Sequence, residues 1–204
     1  MAHKKVYGRN GVHVSKNNHW MLDCVADSSR VIGELAGQLE QIAPICEMVT
    51  SALLGGKKLL TAGNGGSAAA ALHLAEELTG RYSRADRRAL PAICLAADGT
   101  ALTCIANDWD FGSVFSRQVE AFAQSGDVLV VFSSSGNSEN LIRACQVMRQ
   151  RGGKTIGLLG KGGGKNLVHC DQALIVNSQR TAAIQEAHEV VLHLMLEYLE
   201  KYCD

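Results

Sequence analysis

The chain carries no surplus of either charge: twenty lysines and arginines stand against twenty aspartates and glutamates in 204 residues. Such a balance offers no basic field for nucleic acid or for an anionic membrane surface, so neither is expected as a partner. No apolar run approaches the roughly 20 residues that a membrane-spanning helix needs. Residues 1–18 are polar and basic and lack the apolar segment of a secretory signal, which makes the cytoplasm the expected address. The seven cysteines (Cys24, Cys46, Cys94, Cys104, Cys145, Cys170, Cys203) are odd in number, scattered, and include no C-x-x-C pair. That argues against a disulfide framework or a cysteine metal site, and most of them read as small core residues. No G-x-x-x-x-G-K-S/T occurs, and no G-x-G-x-x-G stands between a strand and a helix, so nucleoside triphosphates and dinucleotides are poor candidate ligands.

What is present is a regular alternation. Short segments apolar on both faces, at 57–62, 91–96, 128–133, 155–159 and 173–177, read as buried parallel strands. Helical patterns fill the gaps at 67–79, 101–106, 113–123, 138–151 and 182–201. The expected fold is therefore α/β: a doubly wound, five-stranded parallel sheet flanked by helices, whose ligands bind outside the carboxyl ends of the strands. Ahead of it, apolar residues recur at helical spacing from His19 to about Ile42. Pro44 is expected to bend or interrupt the helix before a second segment reaches Gly55-Gly56. The organisation predicted is a flexible lead-in over 1–18, a helical arm over 19–56 and an α/β domain over 57–204. Nothing in a compact sheet domain requires the arm, so part of it is expected to pack on another copy of the chain.

Two turns fall at the carboxyl edge of the sheet. In Thr61-Ala-Gly-Asn-Gly-Gly-Ser67, glycines 63, 65 and 66 let an anion approach the main chain, and the Ser67 hydroxyl can cap the following helix or bind a ligand oxygen. On that helix His73, Glu77 and Arg81 recur at i, i+4 and i+8, so they line one side if the helix runs past Gly80. The second turn, Ser133-Ser-Ser-Gly-Asn-Ser138, places consecutive hydroxyls round a glycine ahead of a helix N-terminus. These are neutral donors suited to a phosphate monoester. The last helix adds Gln185 and His193, two turns apart and within roughly 80° of each other about the axis. His188 lies on another face and is expected to pack or cap.

At these residues the chain resembles the sugar isomerase (SIS) domain proteins, and within them the phosphoheptose isomerases, over about 26–202. The resemblance rests on Gly63-Asn-Gly-Gly-Ser67, His73-Leu-Ala-Glu-Glu77-Leu-Thr-Gly-Arg81, Asn107-Asp108, Phe115-Ser-Arg117, Ser133 to Ser138, and Ile184-Gln-Glu-Ala-His188 through His193. It implies that Ser67, Ser133, Ser134, Ser135 and Ser138 hold a sugar phosphate, with Asn64, Arg81 and Asp108 near the sugar. Gly65, Gly66, Asn107 and Gln185 complete the implied substrate-binding set. It implies Glu77 as base, His193 as its counterpart acid/base, and one zinc per subunit through His73, Glu77, Gln185 and His193. A homotetramer with sites at subunit junctions is likewise implied. Two positions depart from the family pattern: Ala70 stands where many relatives carry an acid, and 177–183 lacks an acid that several relatives have.

The implied reaction converts sedoheptulose 7-phosphate, a phosphorylated seven-carbon sugar, to D-glycero-D-manno-heptose 7-phosphate through an enediol. It needs one group to take and return a carbon-bound proton and another to serve the oxygens. Two alternatives stand beside it. One is a non-catalytic SIS protein that binds a phosphosugar or a replication initiator, although that type lacks counterparts of Glu77 and His193. The other is an isomerase of a different phosphosugar, whose relatives share the serine turn but usually not the four-residue set.

Overall fold

A computed structural model describes residues 6–7, 13–14 and 16–203, with side-chain surroundings from residue 17 onward. Near the start, β1 (Val6–Tyr7) pairs antiparallel with β2 (His13–Val14); the rest of the expected lead-in lies largely outside the described residues. Five strands follow in one parallel sheet: β3 (Leu59–Gly63), β4 (Ala92–Cys94), β5 (Val128–Ser133), β6 (Lys154–Gly160) and β7 (Gln172–Val176). Their order is β4-β3-β5-β6-β7. The chain leaves β3 for β4 on one side and returns to β5 on the other, so the crevice between β3 and β5 is the topological switch point where such sheets bind ligands. Gly63 stands beside Phe132 there, which brings the two predicted turns next to each other.

Strand residues point alternately into two apolar layers. Leu59, Val128, Val130, Phe132, Ile156 and Leu158 face α1 (His19–Glu34), α2 (Leu39–Leu54), α3 (Gly66–Thr79) and α7 (Thr181–Tyr202). Leu60, Ala62, Leu129 and Val131 face α4 (Gly99–Asp108), α5 (Ser116–Phe122) and α6 (Glu139–Gln150). Lys58 and Asp127 tie the starts of β3 and β5: the ammonium lies 2.5 Å from the carboxylate, which also accepts from the Lys58 and Gln124 backbone N–H groups.

The amino-terminal segment differs from expectation in where it breaks. The helix interrupts at a 3-10 turn, Leu35–Gln38, and Pro44 sits inside α2 without ending it. Pro44 loses the N–H that would have reached back one turn and crowds the carbonyl there, and α2 withstands that because Ile42, Ile45, Cys46, Val49 and Leu53 are buried against the sheet layer. The second half of the expected arm is thus part of the sandwich. The first half keeps an open apolar face, with Trp20, Met21 and Val25 at 58%, 46% and 65% exposure. Arg180 docks α1 on the start of α7, pairing with Asp27 at 3.0 Å and donating to the Ser28 hydroxyl at 2.8 Å; this is what the acid-free 177–183 segment holds instead. The helix expected over 113–123 is shorter, with a 3-10 turn at Phe111–Ser113 and then α5. Cys24, Cys46, Cys94, Cys104, Cys145 and Cys170 are free thiols, three of them buried.

Candidate active site

The turn after β3 is built so closely that a side chain at Gly63 would overlap the Ser67 carbonyl, and Gly65 takes φ +55° to start α3. The Ser67 hydroxyl does not cap α3, contrary to one expectation; the turn closes instead through Ser67 N–H to the Asn64 carbonyl (3.1 Å) and Ala68 N–H to Gly65 (3.0 Å). Ser67 is left buried with its hydroxyl facing a small cavity.

The serine turn closes the other side. Gly136 has φ +63°, and a Cβ there would run into the Gly163 backbone, so only glycine allows the two loops to meet. Gly136 N–H donates to the Ser133 hydroxyl (3.0 Å) and Asn137 N–H to that of Ser135 (3.2 Å). Each hydroxyl thereby accepts within the loop and keeps its own proton for an outside acceptor. The 160s loop braces the turn from behind: Asn166 N–H donates to the Gly136 carbonyl at 2.8 Å and Lys165 N–H to Asn137 Oδ1 at 3.0 Å. Ser138 begins α6 but makes no side-chain cap. Asn64 and Asn140 exchange amide hydrogen bonds of 3.0 and 2.9 Å across the crevice.

Together Asn64, Ser67, Phe132, Ser133, Ser134, Ser135 and Ser138 line a cavity of about 60 Å³. It contains no charged side chain, offers hydroxyls and an amide, and opens onto the start of α6, which is the chemistry of an oxyanion cradle. A wider cleft of about 430 Å³ adjoins it through Asn64 and Ser138 and is walled by Asp110, Phe111, Gly112, Glu139, Asn140 and Arg143. Arg143 is held there between Asp110 (3.0 Å) and Glu139 (2.9 Å).

A second group lies farther along α3. His73 Nε2 is 3.5 Å from Glu77 Oε1, and its Nδ1 is 2.9 Å from Glu189 on α7. The His193 ring meets His73 edge-on at 5.3 Å and stacks on Tyr82 at 5.9 Å, and the Tyr82 hydroxyl donates to Glu197 at 3.0 Å. Burial favours a neutral His73, but the hydrogen bond to Glu189 and the charges of Glu189 and Glu77 outweigh it and raise its pKa above the ordinary imidazole value. Arg87 steadies the end of α3 from beneath, donating to the carbonyls of Glu77 (2.6 Å) and Leu78 (3.0 Å). The donor atoms of His73, Glu189 and His193 lie within 4.8 Å of one another, as do those of His73, Glu76 and Glu77. Imidazole nitrogens and carboxylate oxygens at this spacing suit a divalent transition metal.

Of the residues expected at the site, the structure gathers the serines with Asn64, and gathers His73, Glu77 and His193. Gln185 lies against Gly66, where a Cβ would touch its amide. Seven residues separate Gly66 from His73, so Gln185 sits about 10 Å back along α3 from the histidines. Arg81 is exposed beyond Gly80, at which α3 ends, and so does not continue the His73 and Glu77 stripe. Asn107 and Asp108 are exposed at the end of α4 and bond to each other at 2.8 Å. His188 packs, as expected: it is buried against Phe132, and burial pushes its pKa down to about 4. Ala70 is in the core beside Leu74, where an acid would be desolvated. Glu189, Asn140 and Tyr82 carry no expectation from the sequence. Only Glu189 had a signal, standing midway between Gln185 and His193 on the same stripe.

Comparison with known proteins places these features together. The SIS domain model matches residues 23–160. A phosphoheptose isomerase of Campylobacter concisus is 49% identical over 167 residues, covering 82% of this chain and 86% of that protein. Another, from Nitratiruptor sp., is 44% identical over 93% of this chain and 97% of its own length. The solved structure of the phosphoheptose isomerase from Neisseria gonorrhoeae superimposes with a TM-score of 0.85 at 38% identity, covering 91% of this chain and all of that one.

Proposed function

Since the chain belongs to the SIS domain family, and within it to the phosphoheptose isomerases, we infer that it is the aldose–ketose isomerase that interconverts sedoheptulose 7-phosphate and D-glycero-D-manno-heptose 7-phosphate. The observation that carries this reading is the pairing of a neutral, phosphate-sized cavity at the switch point with a separate cluster of imidazole and carboxylate groups around His73. A substrate with phosphate at one end and its reacting carbons at the other needs that division. Ser67, Ser133, Ser134, Ser135 and Ser138 hold the phosphate, with Asn64 at the mouth of the cavity. Gly65 and Gly66 admit it to the main chain, while Arg81, Asn107, Asp108 and Gln185 serve the sugar.

In the ketose-to-aldose direction Glu77 takes a proton from C1 while the C2 carbonyl oxygen gains one, forming the enediol. The proton then returns to C2 as the C1 hydroxyl gives up its own, leaving the C1 carbonyl. His193 serves the oxygens as acid and base. Anchoring the distant phosphate fixes the reacting carbons against these groups, and positioning of this kind is worth up to about 7–11 kcal/mol of barrier. His73, Glu77, Gln185 and His193 are the expected zinc ligands, one ion per subunit; the imidazole and carboxylate donors brought together around His73 fit such an ion, whereas Gln185 of the same chain lies too far along α3 to join them. When bound, the ion would polarise a carbonyl and offset enediolate charge.

Ten residues of α3 separate Ser67 from Glu77, about 15 Å along the axis. This spacing and the open apolar face of α1 support a homotetramer in which phosphate cradle and base come from neighbouring chains. A cytoplasmic address is part of this proposal, and separately, among the described residues no helix is long and apolar enough to cross a membrane. The deciding experiment follows sedoheptulose 7-phosphate turnover by NMR, with and without chelator, alongside light scattering. Conversion by an oligomer supports the reading. No conversion across a panel of ketose phosphates, or a fully active monomer, overturns the corresponding part.

A further inference from the structure

The geometry points to Glu189 as a positioning residue that holds His73 with Nε2, carrying the lone pair, turned to Glu77. A neutral imidazole has one N–H and one lone pair, and a carboxylate can accept only the N–H. Two carboxylates compete for that proton: Glu189 at 2.9 Å from Nδ1 and Glu77 at 3.5 Å from Nε2. The shorter contact holds the proton on Nδ1 and leaves the Nε2 lone pair on the Glu77 side, ready to ligate a cation or to accept from substrate. This is the arrangement by which a carboxylate behind a histidine sets its tautomer, its ring orientation and its basicity as a ligand.

The placement is specific to the packing of two helices. Gly66 lies opposite Gln185, and His73 lies opposite Glu189 and His193, so α3 and α7 run side by side in the same direction. Glu189 therefore reaches His73 from a different element than Glu77 does, and the ring is gripped from both ends. The partner histidine is treated alike: Tyr82, itself bonded to Glu197, stacks on His193. Glu197 is four residues beyond His193, as His193 is four beyond Glu189, and one acidic stripe of α7 steadies both imidazoles. His73 and Glu189 are only partly shielded, at 33% and 37% side-chain exposure, so water can stand in for part of the lost contact.

This assignment rests on reading the group as the isomerase centre, and its test is separable from that reading. Glu189→Leu removes the acceptor, whereas Glu189→Gln keeps an oxygen able to accept from Nδ1. In metal-free protein labelled with 15N-histidine, on the alkaline side of the His73 titration, the wild type and Glu189→Gln should show the Nδ1–H tautomer for His73. Glu189→Leu should show Nε2–H, with the resonance identified by its loss in His73→Asn. Zinc affinity, read by competition with a chromophoric chelator, should fall about 10–100-fold in Glu189→Leu, and by clearly less in Glu189→Gln. An Nε2–H tautomer in the wild type overturns the proposal, as does an unchanged affinity in Glu189→Leu. Equal losses in both variants also overturn it, because they would make the carboxylate a direct ligand. A wild type that carries the Nδ1–H tautomer yet does not turn over sedoheptulose 7-phosphate would undo the reaction assignment and leave Glu189 in its role.

Discussion

Ser138→Ala separates two roles that a serine at a helix start can play. Most such serines cap the helix, and losing the cap costs about 1 kcal/mol, which for a chain of this size lowers Tm by about 2–4 °C. Ser138 makes no capping hydrogen bond and turns toward the cavity shared with Ser67 and Ser133. Its removal should therefore leave Tm nearly unchanged. The hydroxyl is instead available to a phosphate oxygen, and a hydrogen bond to a charged group is worth about 1.5–3 kcal/mol. At 1.4 kcal/mol per factor of ten, kcat/KM should fall by about 10–150-fold. The loss should sit mainly in KM, because the phosphate is held equally in the ground and transition states. Steady-state kinetics with sedoheptulose 7-phosphate and a thermal melt on the same preparation suffice. A melt lowered by several degrees with KM unaltered would show that Ser138 is an ordinary cap and that the cavity is not the phosphate site.

Glu77→Gln and His193→Gln should each lower kcat by about 10²–10⁴-fold, as loss of a positioned acid or base does, while substrate binding measured by calorimetry persists; near-wild-type rates in either would remove that residue from proton transfer. Gly136→Ala forces a left-handed backbone angle on a residue with a Cβ, costing about 1–2 kcal/mol, and drives that Cβ into the Gly163 backbone. Its KM should rise with kcat little changed, and unaltered KM would mean that the two loops give way freely. Asp127→Ala strands the Lys58 ammonium and should cost about 3–5 kcal/mol in urea unfolding. Burial acts to raise the Asp127 pKa, but the Lys58 and backbone hydrogen bonds prevail and lower it. Its contribution is therefore present above the unfolded carboxyl value near 3.9 and is lost as pH falls through the lower folded one. The gap between wild type and variant should close on acidification below about pH 4; a gap that closes near neutrality would assign the effect to another group.

What the chain declares about itself depends on the range of the interaction. The serine turn was legible because strand end, hydroxyls and glycine are consecutive, and the same is true of the glycine turn at Gly63. Strand positions were recoverable within a few residues because the central strands β3, β5 and β6 are buried on both faces and the edge strands β4 and β7 are at least half-buried. Contacts between distant segments were not. The amide exchange of Asn64 with Asn140 spans 76 residues, and the His73 to Glu189 bond spans 116; no local pattern encodes the side-by-side packing that creates them. Pro44 misled for the opposite reason, since its local cost is real but small beside the apolar burial of α2. The break fell instead at Leu35–Gln38, where Gly37 weakens the helix. Arg81 missed the His73 stripe because Gly80 turns the backbone away at the end of α3.

The cradle at the switch point holds no lysine or arginine. Recognition there comes from hydroxyl and amide dipoles set at short range, and background electrolyte does little to screen contacts so much closer than a Debye length of about 8 Å at physiological ionic strength. Saturation should thus vary little between dilute buffer and strong brine, a tolerance that an arginine clamp would lack.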